Sequence, residues 1–380
     1  MTGSPKEQPA PAAAAATEQI TIPESEAGAS TPEEPSAAVQ EAAVEEDTTA
    51  PDQDLEAQAP IVAVDNGSDT DSAYDTDEAS RYTESITSSV QAYKFENGRR
   101  YHAYHSGAYN FPNDDPEQDR LDMFHHIVLL GCEGKLHLAP IKGEGLRILD
   151  IGTGTGIWAI QMGDIFPSAE ITGNDLSPIQ PTWVPPNVRF LVDDVESEWA
   201  ESQQYDYIHC RYMAASIKDW PRLVKQCFDN VKPGGWVEFQ DYDTACISQD
   251  GTMKPDYKVA EMLSLLRGAC NTIGRLLDPG PHLKGWVQDA GFENITHRIV
   301  PFPVGLWPKE RKLKEIGAFM TLQYTEGVDA FTLLPFTGIL GWSEDEVKIF
   351  NAKVRNDAKD KSIHTMHNFH IVYAQKPLSA

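Results

Sequence analysis

The sequence predicts an α/β protein built on a parallel sheet with helices on both faces. Three observations carry that expectation. Short, near-continuous apolar strands alternate with helical segments between positions 146 and 242, the pattern of strands buried on both faces. A glycine-rich turn, "GTGTG" at 152–156, joins the first of these strands to a helix. Three aspartates, Asp150, Asp175 and Asp194, fall at the C-terminal ends of successive strands. That is the edge of an open α/β sheet where ligands bind.

The elements follow in order. "NDDPEQDRLDMFHHIVLLG" opens a helix with Asp115 as N-cap, Pro116 at the first helical position and Gln118 at the capping-box position. Leu121, Phe124, Val128 and Gly131 then recur at helical spacing. "LRILDI" is the first strand of the alternation. A helix over 157–166 ends before Pro167, and "AEITGND", "NVRFLVDD" and "YDYIHC" are strands. "PRLVKQCFDNV" is an amphipathic helix with Leu223, Val224, Cys227, Phe228 and Val231 on one face, and "GGWVEFQDY" returns to strand. Beyond Tyr242 come a helical stretch "KVAEMLSLLRGACNTIGRLL", a turn "DPGPH", the segment "LKGWVQDAGF" and a strand "NITHRIVPF". Helices at 309–324 and 343–359 and a final strand "NFHIVYAQKP" complete the chain. No repeat is visible.

Charge divides the 380 residues unevenly. Residues 1–90 hold 20 acidic side chains against Lys6 and Arg81, which makes −18 of the total −27. That stretch has no Trp or Phe and no aromatic before Tyr74. It cannot bury enough apolar surface to offset the entropy of ordering, so 1–85 reads as a disordered acidic arm and 86–380 as one domain. The arm is either a solvated tail or a partner-binding segment, with Tyr74 and Tyr82 as its contacts. The acidic balance argues against direct nucleic-acid binding, where Lys and Arg neutralise phosphates. The N-terminus lacks a secretory layout. No apolar run reaches the roughly 20 residues that span a bilayer; "AFTLLPFTGILGW" is broken by Pro335. The five cysteines have neither CxxC nor zinc spacing, so no metal site is expected. They read as reduced thiols of a cytoplasmic or nuclear protein.

Three ligands compete for the glycine turn. A P-loop requires GxxxxGK[ST], but Ile157 and Trp158 follow Gly156. A dinucleotide fingerprint can be laid on Gly154, Gly156 and Ala159 with Asp175 beyond, but the match alone is weak. Asp150, two residues before Gly152, would repel a pyrophosphate and suits a cationic amine. "VDDVE" places an acceptor beside the apolar Val195, which suits an exocyclic amine on a base; Asp194 is preferred over Asp193. "KPGGWVEF" adds a glycine turn into a later strand.

The set "LDIGTGTG", "GNDLSP", "LVDDVE", "YDYIHCRYM" and "VKPGGWVEFQD" resembles the class I S-adenosylmethionine-dependent methyltransferases. "ENGRRYHAYHSGAYNFPNDDPEQDRLDMFHH", "GKLHLAPI", "PFPVGLWPKERKLKEIG" and "HNFHIVYAQKP" are similar to the fungal methyltransferases related to the secondary-metabolism regulator LaeA. The resemblance runs from about residue 80 to the end. It implies a Rossmann-like seven-stranded methyltransferase sheet with helical insertions, and S-adenosylmethionine as cofactor. Carried over, it places Gly152, Gly154 and Gly156 under the methionine moiety with Asp150 positioning it. Asp175 then holds the ribose hydroxyls and Asp194 the adenine amino group, while Leu176 and Val195 complete the cofactor set. For Asp175, capping the following segment is the structural alternative.

Catalytic candidates are weaker. Methyl transfer from a sulfonium depends mostly on alignment, and a base is needed only where the acceptor loses a proton. "HCRY" is not the [DN]PP[YF] motif of enzymes that methylate amino groups of bases. His209 is a base or a packed strand-end histidine; Arg211 orients a substrate or pairs with an acid such as Asp241; Tyr212 follows them. His125 and His126 read as structural, and Tyr101, Tyr104 and Tyr109 as a closing segment or core aromatics. Three functions stay open: a LaeA-like regulator whose methyl acceptor is a protein or undefined, an O- or N-methyltransferase tailoring a small metabolite, and a cofactor-binding scaffold acting through protein partners. An apolar pocket built from "KVAEMLSLLRGAC" and "WPKERKLKEIGAFM" would favour the second. Deleting residues 1–85 is expected to leave the thermal midpoint nearly unchanged; a drop of many degrees would show that the arm packs on the domain.

Overall fold

A computed structural model of the chain describes residues 93–102, 111–199 and 204–379. The expectations for the 1–85 arm, Tyr74, Tyr82, Tyr104 and Tyr109 lie outside these residues. A short hairpin, β1 (Lys94–Glu96) and β2 (Arg99–Tyr101), precedes the main sheet; its three-residue strands carry no readable alternation in sequence. Helix α1 (Asp115–Gly131) follows. Its N-cap is Asp114, one residue before the expected Asp115, and the Asp114 side chain accepts from the Glu117 amide at 3.2 Å. Both aspartates are suitable caps by type. Asp114 also pairs with Arg99 through two contacts at 2.5 and 2.7 Å, which fixes it at the turn. Gln118 donates to the Asn113 carbonyl instead of completing a capping box.

The sheet has seven strands: β3 (Arg147–Ile151), β4 (Glu170–Asp175), β5 (Val188–Val192), β6 (Tyr205–Arg211), β7 (Val231–Ile247), β8 (Glu293–Val304) and β9 (Thr365–Gln375), in the order β5-β4-β3-β6-β7-β9-β8. Pairs β3–β4, β3–β6, β4–β5 and β6–β7 are parallel, whereas β9 runs antiparallel to both β7 and β8. The sheet is therefore mixed: the strands between positions 146 and 242 are parallel, as expected, and β9, later in the chain, is the reversed strand. An apolar run reports burial but carries no strand direction. The central strands are buried on both faces, as Ile148 to Ile151 on β3 show; the edge strand β5 alternates.

Helices α2 (Ile157–Ile165), α3 (Trp220–Asn230), α4 (Lys258–Thr272) and α5 (Leu283–Asp289) are followed by α6 (Arg311–Glu326), α7 (Val328–Leu334) and α8 (Glu344–Ala358). The α3 helix buries Leu223, Val224 and Cys227 of the expected face. Helix α4 stops five residues before the sequence pattern does, and Gly274 beyond it has φ of +70°. Pro335 opens a π-helical turn (Pro335–Ile339) that extends α7 into the "AFTLLPFTGILGW" stretch, burying Phe336. Among the described residues no helix is long and apolar enough to cross a membrane.

Two buried polar clusters fasten the insertions to the sheet. Glu238 of β7 is fully buried and has no basic partner. It accepts from the amides of Leu138 (2.9 Å) and Ala139 (2.8 Å), from Tyr207 Oη and from Gln240 Nε2. On α1, Arg120 makes a buried two-contact pair with Glu117 at 2.7 and 2.9 Å and donates to Gln323 of α6 at 2.8 Å. Gln323 Nε2 donates back to the Arg120 carbonyl, so one side chain ties the two helices together.

Candidate functional site

The site is built on a backbone that only glycine tolerates. Gly152, Gly154 and Gly156 have φ of +66°, +56° and +80°, the left-handed region where a Cβ costs about 1–2 kcal/mol. A Cβ on Gly152 would also run into the Met213 side chain. Gly156 differs from the other two. It caps α2, and a Cβ there would meet the Phe190 ring, so it serves helix–strand packing and does not line the cleft.

The remaining cofactor candidates Asp150, Gly152, Gly154, Asp175, Leu176, Asp194 and Val195 do line one cleft. Asp150 is buried below the turn: Thr153 Oγ1 donates to it at 2.6 Å and His209 Nδ1 at 2.7 Å. Asp175 accepts from the Gly154 amide with one oxygen and from the Ser177 amide with the other, both at 2.9 Å, and burial raises its pKa. It thus performs the capping role set out as the alternative, while it also lines the cleft and each oxygen keeps a further lone pair. Asp194 turns the chain by accepting from the Glu196 amide at 2.9 Å; Asp193 is exposed and accepts from the Asp194 amide. Both line the cleft, and Val195 is buried beside them.

His209, Arg211 and Tyr212 form the opposite wall. His209 is 1% exposed and stacks on Trp158 with ring centroids 3.8 Å apart. Burial lowers its pKa, so the ring is neutral with its proton on Nδ1 towards Asp150. Its Nε2 is a lone pair with no partner among the described residues. Arg211 donates to His125 Nδ1 at 2.7 Å, which leaves His125 Nε2–H to donate to Gln161. Arg211 does not pair with Asp241. That carboxylate is taken by the amides of Met213 (2.7 Å) and Tyr242 (2.8 Å). His125 is held neutral, pushed down to about 3 by burial and Arg211, and His126 packs edge-on against Phe319. Tyr101 is buried on β2 and does not line the cleft.

Sequence reasoning read Leu121 and Phe124 only as a helical repeat and missed that they cover the cleft from α1. Met213, Ser216 and Ile217, beyond β6, carried no signal. A left-handed cradle, acidic groups at three strand ends and an orphaned buried acceptor fit a cationic, amine-bearing nucleoside ligand.

A second cavity shares Tyr212 with this cleft. Its walls include the aromatic and aliphatic side chains of Tyr242, Leu263, Leu266, Met320 and Phe331, from β7, α4, α6 and α7. Tyr212 adopts φ of +60°, unusual for a bulky residue. Its ring stacks on Phe124 at 4.1 Å, and Arg120 Nη1 donates to its hydroxyl at 3.1 Å.

The profile of the family described as "Methyltransferase domain" matches residues 123–297. Methyltransferase pytC of Aspergillus terreus is 53% identical over 294 residues, covering 77% of this chain and 91% of that protein. The secondary metabolism regulator LAE1 of Cochliobolus heterostrophus is 37% identical over 289 residues, 74% of this chain and 94% of LAE1. The chain belongs to the LaeA-like methyltransferases. The protein-methionine methyltransferase laeA of Emericella nidulans is a further relative, 34% identical over 290 residues, 74% of this chain and 76% of that one. Two of these relatives are thus named as methyltransferases and one as a regulator of secondary metabolism.

One acid of the site has a measurable signature. Burial pushes Asp241 up to about 7, since it meets amides but no cation. Folding therefore favours its protonated form, and its contribution to stability falls as pH rises from about 4 to about 7 and is flat above. The thermal midpoint of the wild type relative to Asp241→Asn is expected to decline across that window. A pH-independent difference would show that Asp241 titrates normally.

Proposed function

We propose that this methyltransferase transfers a methyl group to oxygen or nitrogen of a small, largely apolar metabolite seated in the second cavity. The observation that carries this reading is the shared wall: Tyr212 lines both the glycine cleft and the aromatic cavity. Concave, mostly apolar surfaces with a few placed polar groups suit small molecules. S-adenosylmethionine supplies an electrophilic methyl group whose departure leaves a neutral thioether.

In this reading the chain's residues bind and align. Gly152 and Gly154 let the backbone approach the methionine moiety, and Gly156 holds the helix that follows. Asp150 orients His209, whose Nε2 lone pair faces the amine-bearing end. Asp175 receives the ribose hydroxyls on the lone pairs that Gly154 and Ser177 leave. Asp194 takes the adenine amino group with Leu176 and Val195 against the base. Arg211 supports the wall through His125, and Tyr212 separates donor from acceptor. The domain spans 86–380, while the acidic 1–85 segment meets a protein partner in the cytoplasm or nucleus.

Two variants test the assignment. Asp175→Ala is expected to weaken S-adenosylmethionine binding by about 1–3 kcal/mol in calorimetry, because buried polar groups lose their partner. Unchanged affinity would remove Asp175 from the site. Leu266→Trp fills the second cavity and is expected to abolish methylation of small acceptors while cofactor affinity persists. Transfer that survives the substitution would place the acceptor elsewhere, on a protein surface.

A further inference from the structure

The second cavity holds one polar pair whose donor and acceptor roles are fixed by its surroundings. His367 of β9 is 1% exposed; its Nδ1 lies 3.2 Å from the Ala245 carbonyl oxygen and its Nε2 lies 2.8 Å from Tyr324 Oη of α6. A carbonyl can only accept, so Nδ1 carries the ring proton. Burial pushes the imidazole down to about 4, so at neutral pH the ring holds that proton alone. Nε2 is then a lone pair, and the Tyr324 hydroxyl must donate to it. What Tyr324 retains is an oxygen that can only accept, 6% exposed and in the cavity wall. No group among the described residues donates to it.

The other polar groups of the cavity are engaged. Arg120 donates to Gln323 and Tyr212, Thr244 to Asp278, and Tyr242 Oη to the Met320 sulfur. Tyr242 Oη also keeps an accepting lone pair after donating to sulfur, but Tyr324 is the hydroxyl whose donor direction is set by a neutral histidine, and its oxygen can receive a ligand's own hydrogen. Resting on the small-acceptor reading above, we propose that the Tyr324–His367 pair selects flat aromatic acceptors that present an O–H or N–H group. Tyr324 Oη accepts that hydrogen, and His367 is the positioning residue that keeps Tyr324 from donating. An ether or carbonyl at the same place sets lone pair against lone pair and is rejected. The rings of Tyr212, Tyr242 and Phe331 supply the apolar frame.

The test uses the full chain saturated with S-adenosylhomocysteine, titrated calorimetrically with 2-naphthol, 2-methoxynaphthalene and naphthalene. The naphthol is expected to bind about fivefold to tenfold more tightly than its methyl ether, the worth of one hydrogen bond against an unpaired group. Tyr324→Phe, which removes one oxygen, should bring the two within about twofold of each other. His367→Leu should also narrow the gap, but because the ether gains: the released Tyr324 O–H can now donate to it. A merely structural histidine would weaken both ligands together. Equal binding of naphthol and ether by the wild type, or a gap that survives Tyr324→Phe, overturns the proposal alone. Binding of none of the three, naphthalene included, overturns the small-acceptor reading and this proposal with it.

Discussion

The Asp150 carboxylate fixes everything the site depends on. It ends β3, receives the Thr153 hydroxyl from inside the glycine turn and the His209 ring from the neighbouring strand β6. One buried acid thus sets the turn's height above two strands at once. The Gly154 amide, held at that height, meets Asp175 from the strand on the other side. Three strand ends are locked into one edge by hydrogen bonds to two acidic side chains. The cleft is rigid because its floor is a network and not a row of separate contacts.

Much of that edge was legible in the sequence, since strand ends and glycine spacing are local patterns. Asp150, Asp175 and Asp194 could be placed from the apolar runs before them, and the cleft brings them together. Gly156 shows where locality ends. Its need for a left-handed φ was readable, but the Phe190 ring that a Cβ would strike comes from a strand over 30 residues away. A pair with an acid such as Asp241 was one of two readings for Arg211, yet the backbone amides of Met213 and Tyr242 take that acid. A pocket on two of the second cavity's helices was only a condition that would favour a small acceptor, because sequence does not show which helix faces meet. The cavity's polar pair was not legible, because Tyr324 and His367 meet only through the sheet's order.

The buried charges follow one economy of form. Glu238 and Asp241 are carried by amides and hydroxyls rather than by cations. Arg120, in contrast, keeps its ion pair with Glu117 and uses its remaining donors on Gln323 and Tyr212. Backbone amides are rigid donors, so the acids they hold report the position of a loop; the arginine couples helices whose lengths and angles can vary. The wall between the cavities is therefore held by a group that tolerates adjustment, while the glycine cleft is not.

The placement of β9 has a consequence for biosynthesis. This strand lies between β7 and β8 and, among the described residues, is the only partner that joins β8 to the sheet. Although β8 leaves the ribosome some 60 residues earlier, it has no ladder to enter until 365–375 emerge. The nascent chain can assemble the nucleotide-facing strands first and must keep the apolar side of β8 covered in the meantime. His367 arrives on that same late strand, so the chamber for the second ligand closes only after β9 has emerged.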